Sequence, residues 1–312
     1  MPENRTIDSV AVVGLGTLGV QIALQAAAMG YDVRGYDPDP DAFGRMFEKF
    51  SHLISGDASP GPVDLGKWKH AAGRVALSES FSSAVQRADL IIEVVPEDLE
   101  VKKKVWSEMD AHCSSGAILA SNSSSMPVSR LENVTRRPEK CLNLHFYQLI
   151  LGQNMADVMG GTRTSPETME AGIEFVKSLN VIPLRVNKES LGFCYNRVWR
   201  AIKKEVLQMW AEDVVDFRDV DRAFMVFAKT PWGPFGLMDT VGLDVIWDIE
   251  MVYFRESQKP EDHPPQALKD LIEAGHLGVK SGQGFYTYPT PEFAGPDFLN
   301  PNRSSRSDDC SE

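Results

Sequence analysis

The stretch SVAVVGLGTLGVQIALQAAAMG (residues 9–30) decides the fold of this chain. A run of β-branched residues leads into Gly14-Leu15-Gly16-Thr17-Leu18-Gly19, and an Ala- and Leu-rich segment of helical length follows. A GxGxxG turn between a strand and a helix is the fingerprint of the dinucleotide-binding Rossmann fold. Gly14 permits the tight turn, Gly16 lets a pyrophosphate approach the backbone, and Gly19 lets helix and strand pack closely.

An acidic residue strengthens this fingerprint. Asp37 stands 23 residues beyond Gly14, at the end of the next predicted strand, YDVRGYD (31–37). A carboxylate there can accept hydrogen bonds from both ribose hydroxyls, and its charge repels a 2′-phosphate, which favours NAD over NADP. The alternative is that the glycines serve packing and that Asp37 only begins the turn Asp37-Pro38. The combination predicts NAD binding by residues 14–19 and Asp37.

The rest of the chain predicts two domains that differ in their pattern of secondary structure. Up to Val186, β-branched runs alternate with segments of helical length, which indicates βαβ units around a largely parallel sheet. Later apolar residues recur at helical spacing without β-rich runs. The predicted fold class is α/β: a Rossmann-type doubly wound sheet over residues 1–188, a smaller all-α domain over 189–290, and an extended or disordered tail over 291–312. The predicted strands are 9–14, 31–37, 89–95, 116–121, 141–146 and 181–186.

Composition excludes several classes of protein. The 312 residues are 43% hydrophobic and 24% charged, which is typical of a folded protein of about two domains. A net charge of −12 repels phosphate backbones, so no nucleic-acid partner is expected. No apolar run reaches the roughly 18 residues needed to span a membrane, and no signal-peptide core follows the start, so a cytoplasmic protein without a membrane partner is expected. The four cysteines lie far apart, so neither a metal site nor a disulfide framework is predicted.

Several further motifs follow the glycine turn along the chain. They are, together with the turn itself, VVGLGTLG (12–19), IIEVVPEDLEVK (91–102), ASNSSSMPVS (120–129), LNLHF (142–146), LGFCYNRV (191–198), GPFGLMDTVGLD (233–244) and GVKSGQGFYTY (278–288). In their order and number these segments resemble one enzyme family, the L-3-hydroxyacyl-CoA dehydrogenases, from Gly14 to about Tyr288. The resemblance implies NAD-dependent oxidation of the 3-hydroxyl of an acyl thioester, a small-molecule substrate, a Rossmann domain, and a helical second domain that forms a homodimer.

The resemblance also implies catalytic residues. It places the catalytic imidazole at His145, its carboxylate partner at Asp157, and donors to the substrate oxygen at Ser124 and Asn196. Hydride cannot leave a carbinol carbon unless the hydroxyl proton is removed, and a neutral imidazole suits that task. A carboxylate on the other ring nitrogen fixes the tautomer and stabilises the imidazolium. The alternatives are a structural His145 and, for Asn196, a local hydrogen bond near a helix start.

The same matching implies further residues near the cofactor. Glu97 and Lys102 would lie beside the nicotinamide half of NAD, and Lys280 would also approach the cofactor. The alternative for Glu97 and Lys102 is an exposed pair on a helix surface. Ser123 and Ser125 are close enough to Ser124 to leave the choice of serine open.

The chain departs from the family at the site itself. Family members commonly read HFFNP from the catalytic histidine, whereas this chain reads His145-Phe146-Tyr147-Gln148-Leu149, and Asp157 stands where the family has Glu. Asp is one methylene, roughly 1.5 Å, shorter than Glu, and a shift of that size can lower a rate strongly. Two other functions therefore stay open: a dehydrogenase of a free 3-hydroxy acid, as in gulonate or carnitine dehydrogenases, and a non-catalytic NAD-binding sensor or scaffold.

Overall fold

The computed structural model describes residues 7–55, 65–148, 150 and 154–300. The chain divides into two compact units, Met1–Tyr195 and Asn196–Glu312. Across the described ranges, every helix is too short or too polar to pass through a lipid bilayer.

The boundary between the units falls later than the predicted boundary after residue 188. The reason is that the segment after residue 188 contacts the first unit. The ring of Phe193 stacks on His145 with 5.1 Å between centroids, and the amide of Cys194 donates to Asp157 Oδ1 at 3.2 Å.

Within the described residues, eight strands form one sheet in the order β3-β2-β1-β4-β5-β6-β7-β8. Neighbouring strands pair in parallel, except that β6 and β7 are antiparallel. The predicted Rossmann-type fold class is confirmed, and two strands that the sequence analysis missed, β3 and β7, complete the sheet. The strands are β1 Ser9–Val13, β2 Asp32–Tyr36, β3 Val75–Leu77, β4 Leu90–Glu93, β5 Ile118–Ser121, β6 Cys141–Phe146, β7 Met155–Gly160 and β8 Ile182–Val186.

Helices cover both faces of this sheet. Successive residues of β1 belong to different cores, because Val10 and Val12 pack in one apolar cluster and Ala11 and Val13 in another. Side chains of a strand point alternately to the two faces, so a strand buried on both faces is apolar at every position. The helices of this unit are α1 Thr17–Ala28, α2 Ala42–Ser55, α3 Leu65–Ala72, α4 Phe81–Val85, α5 Leu99–His112 and α6 Pro166–Ser178.

The second unit is helical where it is described, as predicted. Two buried carboxylates of this unit accept hydrogen bonds from backbone amides of other segments of the unit. Asp221 accepts hydrogen bonds from the amides of Phe235 and Gly236, and Asp239 accepts from two amides near the C-terminal end of the unit. Burial raises the pKa of both carboxyl groups despite these hydrogen bonds. The helices are α7 Tyr195–Ala211, which begins at the unit boundary, α8 Phe217–Ala228, α9 Pro234–Val241, α10 Leu243–Ser257 and α11 Gln266–Glu273.

The prediction of a tail without a core from residue 291 needs correction over its first ten residues. Glu292–Ala294 form a short 3-10 helix, and Phe298 is buried in the core of the helical unit. The reason is that the Phe298 ring packs near Tyr286, while its carbonyl accepts from Arg222 Nε at 3.0 Å. The rest of the predicted tail, residues 301–312, lies outside the described residues.

Candidate active site

The glycine turn has the geometry that its sequence predicts. Gly14 has a φ of +97°, and a Cβ there would lie 2.5 Å from the carbonyl oxygen of Val94, so only glycine fits. Gly16 faces open space and is the N-cap of α1. Because glycine offers no side chain to cap the helix, the first-turn N–H groups and the helix dipole favour an anion at this end.

Asp37 lies at the end of β2, beside this turn. Its Oδ2 accepts a hydrogen bond from the Leu15 amide at 2.8 Å, and its Oδ1 accepts from the Asp39 amide at 3.0 Å. It also lines a cavity of about 350 Å³ with Gly35, Pro38 and neighbouring residues. Asp37 therefore stabilises the local turn and also borders an open space, and its contact with the ribose of NAD stays a prediction.

Replacing Asp37 with Ala is expected to raise the Kd for NAD roughly 10- to 150-fold, because hydrogen bonds to a charged group contribute about 1.5–3 kcal/mol. Discrimination against NADP should fall as well, since the repelling charge is gone. Calorimetric titration with both nucleotides measures the two effects. Asp32→Ala, at the other end of β2, is the matched control, because Asp32 is exposed, pairs with Arg34 and does not line this cavity. An unchanged Kd for NAD in the Asp37 variant would contradict the assignment.

Lys102, at the start of α5, is buried rather than on an exposed helix face. Its Nζ lies 2.7 Å from Glu93 Oε1 and 3.1 Å from Glu97 Oε2, and it donates to the Val95 carbonyl at 3.1 Å. The sequence analysis missed Glu93, the buried last residue of β4, because a single acid in an apolar strand carries no motif. The surface-pair alternative is therefore wrong for Lys102.

Glu97 connects this ion pair to the serine segment after β5. Ser125 Oγ donates to Glu97 Oε1 at 2.6 Å, and Ser123 Oγ donates to the same oxygen. Burial raises the pKa of the Glu97 carboxyl, but the charge of Lys102 and the serine hydrogen bonds outweigh burial and hold the pKa below its usual range. Ser124 is exposed and forms no hydrogen bond with another described side chain. Of the hydroxyls of Ser123, Ser124 and Ser125, the Ser124 hydroxyl is therefore the one that does not donate to Glu97.

His145 and Asp157 face each other across two antiparallel strands. They are direct partners in the register of β6 and β7, which brings Cβ atoms to within about 5 Å. His145 Nδ1 lies 3.0 Å from Asp157 Oδ2, and the carboxylate is fully buried. The short side chain of Asp157 is therefore long enough to reach the imidazole. A proton on Nδ1 donated to this carboxylate leaves the lone pair on Nε2 to accept another proton.

The segment after β6 carries the departures from the family. Tyr147, which the sequence analysis did not single out, donates from its hydroxyl to Asp157 Oδ2 at 2.7 Å. Gln148 is exposed, and its backbone carbonyl accepts a hydrogen bond from Asn154 Nδ2 at 3.3 Å. Leu149 lies outside the described residues.

Two candidate residues belong to the helical unit. Asn196 is half-buried in the first turn of α7. Lys280 Nζ lies 2.5 Å from both carboxylate oxygens of Asp244, and this hydrogen bond holds the pKa of Asp244 below its usual range. The roles of Asn196 and Lys280 stay predictions. Among the residues described, no group of three or more His, Cys, Asp and Glu side chains is placed to bind a metal ion.

Family models match nearly the whole folded chain. The NAD-binding domain of 3-hydroxyacyl-CoA dehydrogenase matches residues 9–190, and the C-terminal domain of 3-hydroxyacyl-CoA dehydrogenase matches residues 192–288. The two matches meet close to the point where the two structural units meet.

Individual relatives agree with these matches. The 3-hydroxybutyryl-CoA dehydrogenase of Clostridioides difficile is 33% identical over 285 residues, which cover 89% of this chain and 99% of that protein. The solved structure of (S)-3-hydroxybutyryl-CoA dehydrogenase from Ralstonia eutropha has a TM-score of 0.79 and 27% identity, and covers 91% of this chain and 100% of its own. The 5-formyl-3-hydroxy-2-methylpyridine 4-carboxylate 5-dehydrogenase of Mesorhizobium japonicum is 29% identical over 289 residues, 92% of each chain.

Proposed function

Because this chain belongs to the 3-hydroxyacyl-CoA dehydrogenase family of NAD-dependent oxidoreductases, we propose that it interconverts a 3-hydroxyacyl-CoA and the 3-oxoacyl-CoA with His145 and Asp157 as its general-base dyad. The observation that carries this proposal is the 3.0 Å contact between His145 Nδ1 and the buried Asp157 Oδ2. It supports a fixed tautomer with Nε2 as the proton acceptor.

The proposed reaction balances with the groups at hand. When bound, NAD supplies the hydride acceptor. His145 Nε2 takes the proton of the 3-hydroxyl as hydride leaves the carbon, and Asp157 stabilises the imidazolium that forms. Ser124 and Asn196 donate hydrogen bonds to the oxygen that gains charge. In the reverse direction the imidazolium returns the proton to the 3-oxo oxygen.

Glu97, Lys102 and Lys280 belong to the cofactor side of this proposal. The hydrogen bonds of Glu97 to Lys102 and to two serines support a fixed carboxylate beside the nicotinamide half. Lys102 itself is enclosed, so its proposed role is to hold Glu97. Lys280 would have to exchange its partner Asp244 for the cofactor.

A substrate panel tests the reaction. We expect NADH formation with 3-hydroxybutyryl-CoA or a longer 3-hydroxyacyl-CoA, and a kcat/KM at least tenfold lower with the corresponding free acids. The assay follows NADH absorbance with saturating NAD. Tight NAD binding without turnover of any 3-hydroxy compound would instead indicate the non-catalytic sensor.

A free carboxylate substrate is the second candidate function. One observation favours it: the relative from Mesorhizobium japonicum is named for a pyridine carboxylate rather than a thioester. A preference for free 3-hydroxy acids in the same panel would support this candidate and contradict the thioester proposal.

We also propose that the protein is a cytoplasmic homodimer. Several large apolar side chains of the helical unit are exposed, and Phe227 on α8 is 92% exposed. Val226, Phe227 and Leu299 are all exposed and line one surface cavity, and a contiguous exposed apolar patch is typical of an interface. A solution mass equal to the 34.6 kDa of a single chain would contradict the dimer.

A further inference from the structure

Asp157 has more than one hydrogen-bond donor. Its Oδ2 lies 3.0 Å from His145 Nδ1 and accepts from the Tyr147 hydroxyl at 2.7 Å, while Oδ1 accepts from the Cys194 amide at 3.2 Å. The side chain is fully buried, so solvent cannot replace a missing donor. The rotation of this carboxylate is therefore set by three groups of the protein, and only one of them is the imidazole.

Tyr147 is itself held in place from two sides. Its ring packs edge-to-face with the His145 ring, with 4.6 Å between centroids, and its backbone carbonyl accepts a hydrogen bond from Asn154 Nδ2 at 3.0 Å. The hydroxyl thus reaches Asp157 from a fixed ring. A hydrogen bond from a fixed donor orients an acceptor at a smaller entropic cost than one from a freely rotating side chain.

The structure assigns Tyr147 as a positioning residue for the dyad: its hydroxyl holds the short carboxylate of Asp157 in the orientation that meets His145 Nδ1. This inference rests on the proposed function, because it takes His145 as the base. Tyr147 and Asp157 stand where the family commonly has Phe and Glu, so a hydroxyl and a shorter acid together replace a longer acid. Tyr147 does not touch the reacting atoms and acts through Asp157.

The two residues should therefore depend on each other. In Tyr147→Phe, one donor to the buried Oδ2 is lost, and the carboxylate is free to turn away from Nδ1. In Asp157→Glu, the added methylene has to enter space beside the Tyr147 hydroxyl. The double variant Y147F/D157E has both the longer acid and the space for it.

A double-mutant cycle tests this dependence. We expect Tyr147→Phe to lower kcat about 10-fold, as for loss of one hydrogen bond to a charged group, with both KM values within twofold of the parent. Asp157→Glu should lower kcat by a similar factor. The double variant should regain at least fivefold over either single variant. Recovery in a protein that lacks the Tyr147 hydroxyl also demonstrates that loss of this hydroxyl does not prevent folding.

A matched control removes the neighbouring hydroxyl. Tyr195 packs edge-on against Tyr147 and is exposed, and Tyr195→Phe should leave kcat within twofold of the parent. The assignment is overturned if Tyr147→Phe keeps kcat within twofold, or if the loss in the double variant equals the product of the two single losses, which a merely structural role predicts.

A third variant separates this inference from the proposed function. If His145→Asn retains turnover within tenfold, the dyad itself is wrong, and the positioning role is overturned with it. If His145→Asn is inactive while Tyr147→Phe is fully active, the dyad stands and only the role of Tyr147 is overturned.

Discussion

Replacing His145 with Asn is expected to lower kcat for 3-hydroxyacyl-CoA oxidation by about 10²–10⁴, the usual contribution of a general base. Asn cannot accept the hydroxyl proton, so hydride would have to leave a carbon whose hydroxyl group is still protonated. The Kd for NAD should stay within twofold, because the variant leaves the glycine turn and Asp37 unchanged. Steady-state kinetics with the best substrate of the panel, together with calorimetry for NAD, measure both quantities.

The control for this variant is another histidine. His112 is an exposed residue at the end of α5, so His112→Asn should leave kcat within twofold of the parent. Retention of activity within tenfold in His145→Asn would remove His145 from the role of base. A parallel loss of NAD affinity would indicate instead that the substitution disturbs the sheet.

Local sequence signals predict most of this sheet. The six predicted strands correspond to β1, β2, β4, β5, β6 and β8, and all of them except β2, DVRGY, are rich in β-branched or apolar residues. The missed strand β3, VAL, has only three residues, which is too short a run to distinguish a strand from a turn or a helix segment. The missed strand β7, MADVMG, carries an acid in its centre and becomes a strand because it pairs with β6. Pairing between two strands is not visible in the sequence of either one.

The same limit applies to the candidate site. The sequence predicts the glycine turn and Asp37 because their roles depend on spacing along the chain. Tyr147 and Glu93 could not be predicted in this way, because their partners are set by strand register and helix packing. Knowledge that His145 and Asp157 are cross-strand neighbours would have directed attention to Tyr147, whose hydroxyl reaches the same carboxylate.

The second large effect concerns the stability of the first unit. Lys102 and Glu93 are both fully buried, and their charges lie 2.7 Å apart. The other partners of Glu93 are neutral donors: the Val95 amide, Trp106 Nε1 and Ser121 Oγ. Removal of the ammonium group therefore leaves a carboxylate inside the protein without an opposite charge within this cluster.

Lys102→Met is expected to lower the free energy of unfolding by about 3–5 kcal/mol, the usual cost of breaking a buried ion pair from one side. Met preserves most of the side-chain volume, so the loss reports on charge rather than on a cavity. At roughly 2–4 °C per kcal/mol for a domain of this size, the Tm should fall by about 6–20 °C. Circular dichroism during heating of the cofactor-free protein measures it.

Two companion variants isolate the cause. Lys103 is on the same helix but pairs with the exposed Glu100, so Lys103→Met should cost less than about 1 kcal/mol. The double variant Glu93→Gln with Lys102→Met contains no buried charge at this pair, and it should regain at least half of the stability that Lys102→Met loses. If Lys102→Met and Lys103→Met were equally stable, burial of Lys102 would have no electrostatic consequence. If the double variant were less stable than Lys102→Met, the hydrogen bonds to the Glu93 carboxylate would outweigh its uncompensated charge.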